Sequence, residues 1–428
     1  MAPGSSVVIQ PAKALHGLVR LPGDKSISHR YAMLAAIAEG TTRLTNFSTG
    51  ADCASTLSCL RALGIECERT DTEVIIHGRG SALSPPQSPL DCGNSGSTMR
   101  MLSGILAGQE FSSKLIGDKS LSRRPMARII KPLEMMGAKV DAREGKPPLQ
   151  ISGGLLRAIS YSMPVASAQV KSALLFAGLF AQGVTSVEES IHTRDHGEIA
   201  LRAFGAEVRR EHNQVSIAGR QKLNAIEANI PGDISSAAFF LCAAALFPNS
   251  QLTIPDLLMN PTRARLLDLL IAMGVRISVL SLENQHGEPR GTIQVQGAQL
   301  RGTTIAGSDT AALIDEIPVL AAIAPYSQDG IEIRDAAELR VKESDRIAAV
   351  AANLRAMGAE VEEKPDGLRI PGRQMLHGAT IDSQGDHRIA MAFAVAALRA
   401  RGDTIIHGAD AAIISYPEFF STLQTLTS

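Results

Sequence analysis

The amino-acid sequence predicts an α/β protein of two similar domains, each made of three repeated units around buried helices. Two observations lead there. One phrase recurs five times: an Ala/Leu-rich helical stretch, a stop at glycine, then a short alternating strand. A Pro-Gly-Asp turn followed by an Ala-rich stretch occurs twice, as LPGDKSISHRYAMLAAIAEG from Leu21 and IPGDISSAAFFLCAAALFPN from Ile230. The length agrees, since 428 residues are long for one core and suit two domains.

The phrase appears around Gly64 (CLRALGIECERTDTEVIIHG), Gly137 (PLEMMGAKVDAREGKPPLQISG), Gly205 (ALRAFGAEVRREHNQVSIAG), Gly274 (LLIAMGVRISV) and Gly358 (NLRAMGAEVEEKPDGLRIPG), at intervals of 73, 68, 69 and 84 residues. Each glycine stands where a helix C-cap calls for left-handed backbone. Alternations such as AEVRRE and QVSIAG then predict a β-hairpin with one apolar face. A truncated last copy at FFSTLQTLTS makes six units. Units this long exceed those of short-repeat solenoids, which favours three per domain around shared helices.

The two Pro-Gly-Asp turns are expected to be crossing points between domains. That places one domain at 21–231 and the other at 1–20 plus 232–428, with hinges near 18–23 and 229–233.

Composition limits the function. The chain is 45% hydrophobic and 20% charged, as in soluble globular proteins, and its formal net charge is −1. No global field draws it to nucleic acid or membrane, so any anion site must be a local cluster of Lys and Arg. The start, MAPGSSVVIQPAKALHG, lacks the pattern of a signal peptide. The apolar run Ala237–Pro248 is too short to span a bilayer and reads as a buried helix. Five cysteines without CxxC spacing argue against a disulfide framework or zinc site and fit a reducing cytoplasm.

The charged residues concentrate at helix starts. GDKS at Gly23–Ser26 lacks the spacing of a nucleotide-binding P-loop. Asp24 and Ser26 suit an N-cap, but Lys25, Ser26, His29 and Arg30 on one helical start suggest an anion site. The same tetrapeptide at Gly117–Ser120 shows how little it means by itself. LDCGNSGSTMRML joins small donors to Arg100, with Gly96 allowing close approach of a ligand to the backbone. SLSRRPMARI groups Arg123, Arg124 and Arg128.

VASAQVKSALLFAGLFAQG sets Ser167, Gln169 and Lys171 at the start of an apolar helix. In HTRDHGEIALRAFG, Arg194 beside Asp195, His196 and Glu198 argues against a cation site. PTRARLLDLL, near Arg263, reads as helix start and surface. ALIDEIPVLAAIA places Asp315 and Glu316 before an apolar helix, where first-turn acids suit the helix dipole. ELRVKESDR and GDHRIAM add Arg340, Lys342, Glu343, Asp345, Arg346, Asp386, His387 and Arg388. Lys25, Arg124, Lys342, Arg346 and Arg388 are expected to form a cationic cleft between domains that takes strongly anionic small substrates, two of them.

LPGDKSISHR, GNSGSTMR, SRRP, SAQVKSALL, LRVKESDR and GDHRIAMA, in this order over nearly the whole chain, resemble the 5-enolpyruvylshikimate-3-phosphate synthase family. The resemblance implies the enolpyruvyl transferase fold, with three βαβαββ units in each of two domains. It implies transfer of the carboxyvinyl group of phosphoenolpyruvate to the 5-hydroxyl of shikimate 3-phosphate, releasing phosphate, in chorismate and aromatic amino-acid biosynthesis. Residue by residue, it implies that Lys25, Ser26, Arg30, Ser167, Ala168, Gln169, Arg194, Asp315 and Lys342 hold shikimate 3-phosphate. Lys25, Asn94, Gly96, Arg124, Gln169, Arg346 and Arg388 would hold phosphoenolpyruvate. Asp315, Glu343 and Lys25 would be catalytic. Asp315 would take the proton of the attacking hydroxyl, and Glu343, with Lys25, would manage protonation at the vinyl methylene.

The chemistry suits this set. Planar guanidinium groups match a carboxylate and a phosphate. One acid and one base are needed for addition, then in reversed roles for elimination. Carboxylates among cations favour the charged form, which suits Asp315 as base, whereas Glu343 as acid would need burial or substrate charge to hold its proton. Neither step requires a metal or an organic cofactor. The expected partners are therefore the two small-molecule substrates alone, with no nucleic acid and no membrane, for a monomer in the cytoplasm.

Two positions depart from the family pattern: Ala168, where many members have serine, and Ile414, where many have lysine. GDKS, SAQVK, RDHGE and NPTR instead resemble the family's class II, which implies tolerance of the inhibitor glyphosate, although Gly96 leaves space for it. Among rivals, UDP-N-acetylglucosamine enolpyruvyl transferase shares the repeat fold but generally uses a cysteine near SLSRRP, and none lies between Cys92 and Cys242. A non-enzymatic anion-binding protein would explain the arginines but not Asp315 and Glu343 beside them.

Overall fold

Each copy of the recurring phrase folds as helix, left-handed glycine and strand in the computed structural model, which describes residues 5–427. Gly64, Gly137, Gly205, Gly274 and Gly358 have φ of +83°, +110°, +93°, +103° and +86°, values that side chains with a Cβ rarely adopt.

The chain divides into two compact units. One comprises Gly23–Ile230 with the short segment Asn284–Glu288; the other comprises Met1–Pro22, Pro231–Glu283 and Pro289–Ser428. The sequence reading assigns 284–288 to the second set. Its polar bonds run instead to the first: the Asn229 amide donates to Gln285 Oε1 at 3.3 Å, His286 Nε2 lies 2.9 Å from the Glu227 carbonyl, and His196 Nδ1 lies 2.7 Å from Glu288 Oε1.

The Gly23–Ile230 unit contains helices α1 (Lys25–Ala36), α2 (Ala51–Ala62), α3 (Gly96–Ala107), α4 (Ala127–Met136), α5 (Ala168–Gly178) and α6 (His196–Ala203). Three four-stranded sheets share one strand order. In Leu90–Asp91, Ser112–Ile116, Lys146–Ser152 and Lys139–Arg143, the first pair is parallel and the others antiparallel. The set Ser160–Ser162, Val184–Glu188, Gln214–Ala218 and Val208–Glu211 repeats this. So does the set Glu227–Asn229, Glu39–Thr45, Glu73–Arg79 and Glu66–Thr70, whose first strand comes from the far end of the segment and stitches its two ends together.

The other unit contains α7 (Ile234–Ala245), α8 (Arg265–Ala272), α9 (Ser308–Leu313), α10 (Ile317–Ile323), α11 (Arg346–Ala356), α12 (His387–Ala397) and α13 (Phe419–Thr427). Two of its sheets have the same four-strand order. The third has three strands, with Thr404–His407 parallel to Thr380–Asp382 and antiparallel to Ser6–Ile9. In this sheet the strand Ser6–Ile9 takes the inner place that a hairpin strand has in the others.

Helices α1, α3 and α5, and likewise α7, α10 and α12, are buried on nearly every side. All twelve residues of α7 are buried, and each fully buried Leu, Ile or Phe contributes about 1.5–3 kcal/mol. Flanking helices are one-sided. For example, α4 buries Ile129, Pro132, Leu133 and Met136 at helical spacing. All five cysteines are free and buried. Among the described residues, no helix is long and apolar enough to cross a membrane.

Candidate active site

The predicted site residues lie at helix starts, in the first turns of α1, α3, α5, α11 and α12 or in the turns leading into α3, α4, α6, α10 and α11. There the unpaired amides and the dipole favour anions. In the Gly23–Ile230 unit, Asp24 caps α1 by accepting from the Ile27 amide at 2.9 Å, and Lys25, Ser26 and Arg30 occupy its first turns. Arg30 donates to the Ser26 carbonyl at 2.8 Å, to Ser172 Oγ at 3.1 Å and to the Ala168 carbonyl at 3.4 Å, so α1 and α5 meet at their starts. Lys25 Nζ lies 3.0 Å from Asp52 Oδ2. Ser167 caps α5. Gln169 accepts from Arg100 at 2.7 Å and donates to Ser97 Oγ at 2.8 Å, which ties α5 to α3.

Arg124 donates to Asn94 Oδ1 at 2.7 Å, and Asn94 donates to Asp118 Oδ2 at 2.7 Å. The second GDKS thus serves the site by holding Asn94. Gly96 lies against both guanidiniums: a Cβ there would stand 2.9 Å from Arg100 Nη1 and 3.4 Å from Arg124 Nη1. Burial, and after it the charge of Arg194, push Arg30 down to about 10. Two guanidiniums near enough to repel are a suitable receptor for a dianion.

In the other unit Asp315 is the hub. Its Oδ1 lies 3.7 Å from Lys342 Nζ and 3.9 Å from Arg346 Nη1, while its carbonyl accepts from Arg388 Nη1 at 2.6 Å. Arg346 is 1% exposed, bonded to Asp386 at 2.8 Å and to Glu343 Oε2 at 2.5 Å. Burial alone would lower Arg346; the carboxylates of Asp386 and Glu343 outweigh it and raise it. Burial alone would raise Asp386, and Arg346 outweighs that and lowers it. A guanidinium and carboxylate locked in this way stay charged.

All the predicted residues therefore lie in two groups, one in each unit: Lys25, Ser26, Arg30, Asn94, Gly96, Arg124, Ser167, Ala168, Gln169 and Arg194; then Asp315, Lys342, Glu343, Arg346 and Arg388. Ile414 ends the 3₁₀ helix Ala409–Ile414 and is half-buried.

Two residues were underestimated by sequence reasoning. Arg263, read as surface, is 4% exposed. It donates to Ser235 Oγ and lies 3.4 Å from Glu316 Oε1, next to Asp315. The burial follows from its partner: Glu316, at the start of α10, is itself 3% exposed and accepts from Ser235. Arg100 is read from sequence as lying on the helix after the Gly/Ser turn, which it does, but its bond to Gln169 is not legible there. Among the described residues, Glu66, Glu68 and His77 have spacing that could hold a metal ion. They lie on a hairpin carrying none of the predicted site residues, and nothing else there points to an ion.

Comparison with known proteins shows the family to which the chain belongs. The family model described as EPSP synthase (3-phosphoshikimate 1-carboxyvinyltransferase) matches residues 9–423. A 3-phosphoshikimate 1-carboxyvinyltransferase of Koribacter versatilis is 63% identical over 98% of both chains. One of Solibacter usitatus is 58% identical over 98% of this chain and 99% of its own. A solved structure of EPSP synthase from Acinetobacter baumannii superposes with a TM-score of 0.88 at 42% identity, covering 99% of this chain and 98% of that one.

Proposed function

The chain belongs to the EPSP synthase family, with its fold of two similar domains of three βαβαββ units, and we propose that it performs the reaction in that name: transfer of the carboxyvinyl group of phosphoenolpyruvate to the 5-hydroxyl of shikimate 3-phosphate. The observation that carries this reading is the setting of Asp315, a carboxylate held among Lys342, Arg346 and Arg388. A simple anion receptor has no use for an acid there. A base that takes the proton of a hydroxyl does, and Lys342, Arg346 and Arg388 hold it in place beside the anions they would bind.

The residues take the following roles. Lys25, Ser26, Arg30, Ser167, Ala168, Gln169, Arg194, Asp315 and Lys342 bind shikimate 3-phosphate. Lys25, Asn94, Gly96, Arg124, Gln169, Arg346 and Arg388 bind phosphoenolpyruvate. Glu343, with Lys25, delivers a proton to the methylene carbon, and Asp315 takes the proton of the 5-hydroxyl as its oxygen bonds to the neighbouring carbon. The product is a tetrahedral ketal phosphate. In the second step a methyl proton returns to the protein, the C=C bond re-forms and the C–O bond to phosphate breaks. The domain boundaries at 21–231 and its complement apart from 284–288, with hinges near 18–23 and 229–233, belong to this reading.

Phosphate release is the test. The chain should release phosphate from phosphoenolpyruvate with shikimate 3-phosphate, and not with UDP-N-acetylglucosamine or buffer. Asp315→Ala should lower kcat far more than it weakens binding. Release with the UDP-sugar alone, or binding without turnover in both the unaltered chain and Asp315→Ala, would overturn the proposal.

A further inference from the structure

We propose that Glu189 is a positioning residue for acceptor binding: its buried carboxylate clamps the segment that carries Arg194 onto α5, whose start holds Ser167, Ala168 and Gln169. The inference rests on the acceptor assignment above and deepens it.

Glu189 is 1% exposed and lies where Val184–Glu188 ends. The segment from there to α6, which contains Arg194, has no regular secondary structure, so its backbone has no ladder to fix it. Glu189 supplies the missing bonds. Its Oε2 accepts from the Thr193 amide at 3.1 Å and from Thr193 Oγ1 at 2.6 Å. Its Oε1 accepts from Lys171 Nζ at 3.0 Å and from Arg210 at 2.8 Å. Lys171 is a residue of α5, and it also donates to the Thr193 carbonyl at 3.4 Å. Thr193 is thus gripped through its amide, its hydroxyl and the peptide that leads into Arg194. Glu198 closes the cluster, 2.9 Å from Lys171 and 2.7 Å from Arg210.

Two buried carboxylates with a buried lysine and the partly exposed Arg210 add little stability over apolar residues of the same volume. What they supply is direction. One carboxylate accepting four bonds fixes the position of the segment, which apolar contacts do not. There is also something to resist. Arg194 is close enough to Arg30 to lower its pKa, so the two guanidiniums repel until a phosphate joins them. A segment free to move would carry Arg194 away; the clamp holds it in place. Glu189 itself stays charged, because Lys171, with hydrogen bonds from Thr193 and Arg210, outweighs the effect of burial and lowers its pKa.

The experiment measures steady-state kinetics of Glu189→Gln with shikimate 3-phosphate and phosphoenolpyruvate. Loss of one charge-assisted bond predicts a rise of roughly 10-fold in KM for shikimate 3-phosphate, with kcat and KM for phosphoenolpyruvate within about twofold. The effect must run through Arg194, so adding Glu189→Gln to Arg194→Ala should change KM for shikimate 3-phosphate no further. Thr193→Val leaves all four charges paired; it should raise the same KM about threefold and give the same cycle if Glu189→Gln folds poorly. A lower Tm with unchanged KM, parallel losses in both substrates, or additive losses in the double variant would overturn the inference. No phosphate release by the unaltered chain would refute the acceptor assignment, and the inference with it.

Discussion

Mild acid should weaken this protein through His29, one of its buried imidazoles. His29 is fully buried in α1; its Nδ1 lies 2.7 Å from Thr56 Oγ1, and its Nε2 has no hydrogen-bond partner. Burial first, then the charges of Lys25 and Arg30, hold its pKa well below the usual 6.5. The unfolded chain therefore takes up a proton where the folded chain does not. With the unfolded state binding more protons, stability is complete above pH 6.5 and is lost as pH falls below it. From pH 7.5 to 5.5 the loss is about 1.4 kcal/mol for one such histidine. In a unit of about 200 residues that corresponds to a fall of roughly 3–6 °C in Tm.

The assay is urea unfolding at pH 7.5, 6.5 and 5.5 for the unaltered protein and His29→Asn. Asparagine can keep a polar atom near Thr56 but does not titrate. The substitution costs about 1–3 kcal/mol at pH 7.5, an offset that is the same at every pH. The gap between the two proteins should then narrow by about 1.4 kcal/mol on going to pH 5.5. Parallel pH profiles would refute the reasoning, as would direct titration of the His29 ring near 6.5.

Arg263→Met should destabilise the protein by about 3 kcal/mol, the cost of leaving Glu316 buried without its guanidinium, and should lower kcat by displacing Asp315; unchanged thermal unfolding would contradict the burial argument. Arg124→Ala and Arg388→Ala should each raise KM for phosphoenolpyruvate by roughly 10-fold or more, and an unchanged KM in both would contradict their assignment. Gly96→Ala places a methyl against Arg100 and Arg124 and should raise the same KM severalfold as the guanidiniums shift. The class II pattern predicts glyphosate tolerance in the unaltered chain; inhibition at low micromolar glyphosate under saturating phosphoenolpyruvate would exclude it.

Legibility from sequence followed the range of the interactions. The repeat was readable because a left-handed C-cap is a local demand, met by glycine at five matching places. Helix α7 was readable because its twelve residues contain no charge. Arg263 was not readable: an arginine at a helix start is usually solvated, and only Glu316, 53 residues away, explains its burial. Likewise, Lys171 and Glu198 stood out as motif residues, but Glu189 and Arg210, which complete their cluster, sit just past the end of one alternating strand and within another. The motifs identified the candidate groups at helix starts. The groups that hold them lie tens of residues away in sequence, as Asp118 does from Asn94 and Glu316 from Arg263, where no local pattern records their packing.

The two Pro-Gly-Asp copies show how one frame can serve different ends. Asp24 accepts from the Ile27 amide and Asp233 from the Ser235 amide, both at 2.9 Å, so each aspartate caps a buried helix. Beyond the cap the copies diverge: Lys25, Ser26 and Arg30 in one correspond to Ile234, Ser235 and Phe239 in the other. The packing of a central helix leaves only its first turn free to carry polar groups, so divergence there is the cheapest way to give duplicated units different functions. In the first copy that turn carries Lys25, Ser26 and Arg30, the groups proposed to bind an anion. In the second, Ser235 donates to Glu316 and accepts from Arg263, bracing the acid that adjoins Asp315 in sequence. In the proposed mechanism the second copy thus works one step back from the chemistry, as support for the residue beside the base.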